Sequence, residues 1–135
     1  MIKRILAICF MVASIVLMAM PFGVRMNFGN PDGAPFVYYY SYFSGMPLGY
    51  ANWFPIIAAV LAIVVTLLLI IKVSKRVTND NSPGKAEIIC ICVCIIASVL
   101  SWVVFNAISV VGVIVLLLHA ATFTLLILRK KHDVK

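Results

Sequence analysis

The chain has 135 residues, of which 64% are apolar and only 11% charged, and its formal net charge is +7. A soluble domain is about half apolar and about a quarter charged, and a chain this short cannot hide so much apolar surface from water. Composition thus argues against an ordinary water-soluble fold and points to a bilayer as the solvent.

The first apolar segment covers residues 5–22 and is interrupted only by Ser14. Lys3 and Arg4 before it give a basic start like that of a signal peptide. Its end, "LMAMPFG", puts Met and Pro where small residues would flank a cleavage site. The segment is therefore read as a membrane span.

Residues 23–53 form a polar-aromatic loop. "GNPDGAP" is dense turn punctuation: Pro31 presets a turn dihedral, Asp32 follows, and Gly33 occupies the permissive end. On one side lies "GVRMNF" and on the other "FVYYYSYF", rich in residues that favour strands. The expectation is a short β-hairpin pairing Gly23–Phe28 with Phe36–Phe43. A period of two places Tyr38, Tyr40 and Tyr42 on one strand face, turned toward the membrane or the helix tops, and leaves Tyr39 the most water-exposed of the four. "SGMPLGY" then breaks regularity. Asn52 is placed to cap the next helix, and Pro55 falls in its first turn, where no helical N–H is required.

The second span is expected over residues 54–72. A short polar connection, residues 73–83, follows, with Ser82 and Pro83 as a helix-start signal. The third span is expected over 84–105 and the fourth over 107–128, leaving a tail of 129–135. A single straight helix from Ile88 to Leu128 would be about 60 Å long, twice the hydrocarbon thickness. The chain must therefore reverse, and Asn106, which tolerates tight-turn geometry, marks the place. The expected architecture is a single all-α integral membrane domain: a four-transmembrane-helix bundle with a small extracellular β-hairpin in its first loop.

Charge fixes the expected orientation. With four crossings, every Lys and Arg except Arg25 falls on one side: Lys3, Arg4, Lys72, Lys75, Arg76, Lys85, Arg129, Lys130, Lys131 and Lys135. The positive-inside rule assigns that side to the cytoplasm, with both termini, in a multi-pass protein of the cell membrane. Every Tyr and Trp then gathers at the opposite face, where amphipathic rings suit the headgroup level. Tyr38, Tyr39, Tyr40, Tyr42 and Trp53 make up a candidate outer interaction surface.

Chemistry-bearing residues are few. The only acids are Asp32, Asp80, Glu87 and Asp133, none of them near the middle of a span. A proton- or cation-coupled transporter normally keeps an ionisable group within the bilayer. Here only His119 lies deep, at a depth shared by Ser14 and Ser98, and these three form the candidate polar intramembrane site. Its ordinary role is an interhelical hydrogen bond, and its sharper role is a relay or ligand. In "CICVC", Cys90 and Cys94 share a helix face and Cys92 points away. The spacing suits neither a CxxC redox pair nor, with Cys9, a zinc site, so small apolar fillers are expected. No nucleotide-, metal- or nucleophile-bearing motif is present, and no cofactor is expected. The bilayer is the first expected partner, then a protein partner or a homo-oligomer; the scattered basic clusters do not suit nucleic acid. The expected function is a non-enzymatic accessory or interaction subunit, with an oligomeric small transporter or channel component using His119 as the alternative.

Overall fold

A computed structural model describes residues 2–29, 33–34, 36–74 and 84–132. The elements in chain order are α1 (Ile2–Ala19), β1 (Val24–Phe28), β2 (Phe36–Tyr40), α2 (Gly45–Gly49), α3 (Phe54–Ser74), α4 (Lys85–Phe105) and α5 (Val110–His132). The four long helices are each long and apolar enough to cross a membrane. They pack in a ring, α1 against α3 and α5, and α4 against α3 and α5. Direct contacts show that neighbours run antiparallel. Along α3 and α4, Asn52 meets Ser101, Ala58 meets Cys94 and Lys72 meets Glu87. Along α1 and α5, Gly23 meets Ser109 and Ser14 meets His119. The hairpin therefore sits at one end of the bundle and the Lys72–Glu87 pair at the other.

The inward faces explain the packing. On α1, Ala7, Met11, Ser14 and Met18 are buried, and on α5, Val115, His119, Thr122 and Leu126. Steps alternating between three and four residues keep one stripe of each helix turned to its neighbours. Many buried residues of α3 and α4 are small, Ala58, Ala59 and Ala62 on one and Cys94, Ala97, Ser98 and Ser101 on the other, beside the larger Val65, Leu69 and Ile91. Small side chains let backbones approach closely where dispersion, not water exclusion, holds helices together. Large aliphatic residues lie outside, among them Ile89, Val103, Val110 and Leu117.

Several boundaries differ from the sequence reading. The first helix spans Ile2–Ala19 rather than 5–22, because Pro21 disfavours helical geometry in the residue before it. β2 ends at Tyr40, not Phe43: the chain turns inward so that Tyr42 N–H donates to Met18 O at 2.9 Å. The stretch read as irregular contains the short helix α2, capped by Ser44, whose Oγ accepts from Met46 N–H. It ends in a Schellman arrangement, Asn52 N–H to Pro47 O and Ala51 N–H to Leu48 O, with Ala51 left-handed at φ 63°. The turn expected at Pro31 and Asp32 lies outside the described residues. Asn52 does not cap α3 but reaches across to α4.

α3 and α4 begin within a residue of expectation, whereas α5 starts at Val110 rather than 107 and continues through His132 into the expected tail. Asn106 reverses the chain in left-handed geometry, φ 49°, as its residue type allows. Ser82 and Pro83 lie outside the described residues; the observed N-cap of α4 is Gly84.

The hairpin register pairs Val24 with Tyr40, Met26 with Tyr38 and Phe28 with Phe36. Its base lies beside α1 and α5. At its far end Phe28 stacks edge-on against Tyr50, ring centroids 4.9 Å apart, in the α2–α3 connection that Asn52 ties to α4. The strands thus lie across the end of the bundle.

Candidate functional site

Three polar constellations punctuate an otherwise apolar molecule. The deepest joins α1 to α5. Ser14 Oγ and His119 Nε2 are 2.8 Å apart, and both residues are fully buried. His119 Nδ1 has no hydrogen-bond partner among the described residues. A neutral imidazole has one donor and one acceptor nitrogen, so the serine satisfies one and leaves the other bare. Ser98 does not join them. Its hydroxyl donates to Cys94 O, four residues back on its own helix, at 2.9 Å. Thr122 and Thr66 likewise bond to their own helices, at Leu118 O and Ala62 O. Hydroxyls on helices have this local option, and depth in the sequence could not reveal which would take it.

Replacing His119 tests the pair. His119→Leu removes the hydrogen-bond partner that Ser14 has among the described residues and is expected to cost about 1 kcal/mol, the scale of interhelical hydrogen bonds in bilayers. His119→Asn, which can still bond, is expected to unfold close to the parent in a detergent titration.

The second constellation sits under the hairpin. Tyr42 is 3% exposed, against 55% for Tyr38 and 48% for Tyr39. The tyrosines therefore do not divide as expected. Tyr38 and Tyr39 are both exposed, Tyr40 is half-buried, and Tyr42 leaves the strand face altogether because the strand has ended. The Tyr42 ring lies on Gly23: a Cβ there would come within 2.7 Å of Cδ2. Its hydroxyl lies beside Gly112, where a Cβ would sit 3.3 Å away. Ser109 completes the latch, donating to Gly23 O and accepting from Gly112 N–H at 2.9 Å. Burial pushes the Tyr42 hydroxyl up to about 12, since the phenolate would lose its hydration. Trp53 remains exposed. Of the five outer residues singled out, Tyr38, Tyr39 and Trp53 form surface, and Tyr42 is an anchor.

The third constellation was not anticipated as a site. Glu87, in the first turn of α4, is 2% exposed, and Lys72 Nζ approaches its Oε1 at 2.8 Å. The approach falls outside hydrogen-bond alignment, so the attraction is chiefly Coulombic. Oε2 accepts from Gly84 N–H at 2.9 Å, supplying half a capping box. A Cβ on Gly84 would lie 2.7 Å from Lys72 Nζ, so this position leaves room for the ammonium. An acid three residues after Gly84 was the available signal; the pairing with Lys72 depends on how α3 and α4 align.

The cysteines do not assemble. Cys94 is buried with Sγ 3.5 Å from Ala58 O, Cys90 and Cys92 are half-buried, and Cys9 is exposed. Among the described residues no group of three His, Cys, Asp or Glu could hold a metal ion. The chain matches no known protein family, no curated protein and no solved structure.

Proposed function

We propose that the chain is a multi-pass protein of a cell membrane, with both termini cytoplasmic. In this reading it serves as a non-enzymatic accessory or interaction subunit that presents the hairpin outside. The inverted polarity of the bundle supports insertion: Ser14, Thr66, Ser98, Ser101, His119 and Thr122 face inward, and aliphatic side chains face outward. In lipid that arrangement satisfies the helix surfaces, whereas in water it would expose far more apolar area than a soluble monomer tolerates. The distribution of Lys and Arg supports the orientation.

The observation that carries the interaction role is the construction of the hairpin end. Phe36, Tyr38, Tyr39, Tyr50 and Trp53 are exposed, on a scaffold held down by the buried Tyr42 latch. Exposed aromatics on a fixed support are the composition of protein contact surfaces. Photo-cross-linking from position 39 in intact membranes tests this. A discrete adduct that disappears in Tyr38→Lys, while the bundle stays folded, is expected. Adducts to lipid alone would remove the interaction role.

A second reading, an oligomeric transporter or channel component with His119 in its pathway, is favoured by the bare Nδ1. It requires solute flux in liposomes that His119→Asn abolishes without unfolding the protein.

A further inference from the structure

We propose that the free edge of β2 is a self-pairing edge, and that two copies of this chain join there to form a four-stranded antiparallel sheet across the hairpin end. The proposal names the partner of the surface just described and rests on the membrane reading.

Among the described residues β2 hydrogen-bonds only to β1, so alternate residues of Phe36–Tyr40 present backbone N–H and C=O groups outward. Proteins usually blunt such edges with charge, Pro or a bulge. Strand β2, "FVYYY", has none of these, and four of its five side chains are exposed. β1, by contrast, is half-buried and carries Arg25 at its second position. With no charge on β2, an oppositely charged partner gains nothing there and a like copy meets no repulsion. A two-stranded hairpin is also marginal by itself, and added strands stabilise it.

Geometry selects the antiparallel mode. The strands lie across the end of the bundle, held at Gly23–Ser109 on one side and at Phe28–Tyr50 on the other. Two copies inserted in the same sense are related by a two-fold axis along the membrane normal. That operation reverses any strand lying in the membrane plane, so β2 meets its mate antiparallel and the interface is isologous. Full overlap sets Tyr38 against the partner's Tyr38, with Phe36 against Tyr40 and Val37 against Tyr39 in both directions. Aromatic and β-branched pairs of this kind favour sheet pairing.

Residues directly opposite in such a ladder have Cα atoms about 4.5–5.5 Å apart, within the range a disulfide bridges. Membranes carrying Tyr38→Cys, mildly oxidised, should therefore yield a disulfide dimer at twice the chain mass of 14.8 kDa. Asn27→Cys, on β1, should not. Adding Val37→Lys, at a position that faces the uncharged Asn27 within its own hairpin, brings like charges diagonally together across the paired edges and should abolish the dimer. A Tyr38→Cys chain that stays monomeric, or a dimer formed equally by Asn27→Cys, would overturn the proposal. If self-linking fails while a different protein cross-links at position 39, the interaction role stands and only self-pairing falls. Release of the chain from membranes by alkaline carbonate would instead remove the membrane reading beneath both.

Discussion

Tyr42→Ala is expected to lower stability by about 3 kcal/mol, the low end of the cost of truncating a buried aromatic. The ring fills the space between Gly23 and Gly112, and its backbone N–H ties the loop to Met18 at the end of α1. Loss of the ring leaves a cavity between the hairpin base and the helix tops. Tyr42→Phe keeps the ring and loses only the hydroxyl, so it is expected to cost at most about 1 kcal/mol, the net scale of a single hydrogen bond. Gly23→Val attacks the same contact from the other side. Even a Cβ would collide with the ring, and overpacking of this kind costs about 1–3 kcal/mol. Unfolding titrations in mixed detergent rank the three. The hydroxyl adds a pH signature. Its folded value, about 12, lies above the ordinary 10, so burial of the neutral phenol stabilises the fold fully below pH 10. That contribution is lost as pH rises from 10 through 12, and in Tyr42→Phe this component of the alkaline loss should vanish.

Lys72→Met should have a comparable effect at the opposite end of the bundle. Glu87 is 2% exposed, Lys72 33%, and removing the lysine leaves a buried carboxylate whose remaining partner among the described residues is the Gly84 N–H. Uncompensated buried charge costs about 3–5 kcal/mol, and the partial exposure of Lys72 places the expectation near the lower figure. Glu87→Gln leaves no charge buried and keeps an oxygen for Gly84 N–H, so it should cost less. The double variant Lys72→Met with Glu87→Gln should recover much of the stability lost in Lys72→Met alone. Strict additivity in that cycle would show that the two side chains do not interact.

What the sequence made legible follows from where the information lies. The four long helices and the reversal at Asn106 are written in hydropathy and length, because about 20 residues fill a membrane's thickness whatever they pack against. The hairpin is legible in its turn residues and strand formers. Ser14 and His119 could be paired by counting depth from the helix ends. The roles of Tyr42, Asn52 and Glu87 were not legible, because each depends on contacts between separate elements. Tyr42 reads as one more residue of an aromatic strand until the strand ends two residues earlier. Asn52 stands where a cap would stand, but the Schellman turn at Ala51 directs it to Ser101. Glu87 reads as a rim acid until α3 and α4 align Lys72 beside it. Ser98 had the right depth, and its own helix took its hydrogen bond.

A four-span membrane topology puts the hairpin and the α3–α4 connection on opposite sides of the bilayer. It is tested most directly by single cysteines introduced at Ser44 and at Ser82, labelled in intact cells with a membrane-impermeant maleimide. Ser44→Cys is expected to react from outside and Ser82→Cys only after permeabilisation. Labelling of both from the same side would contradict it.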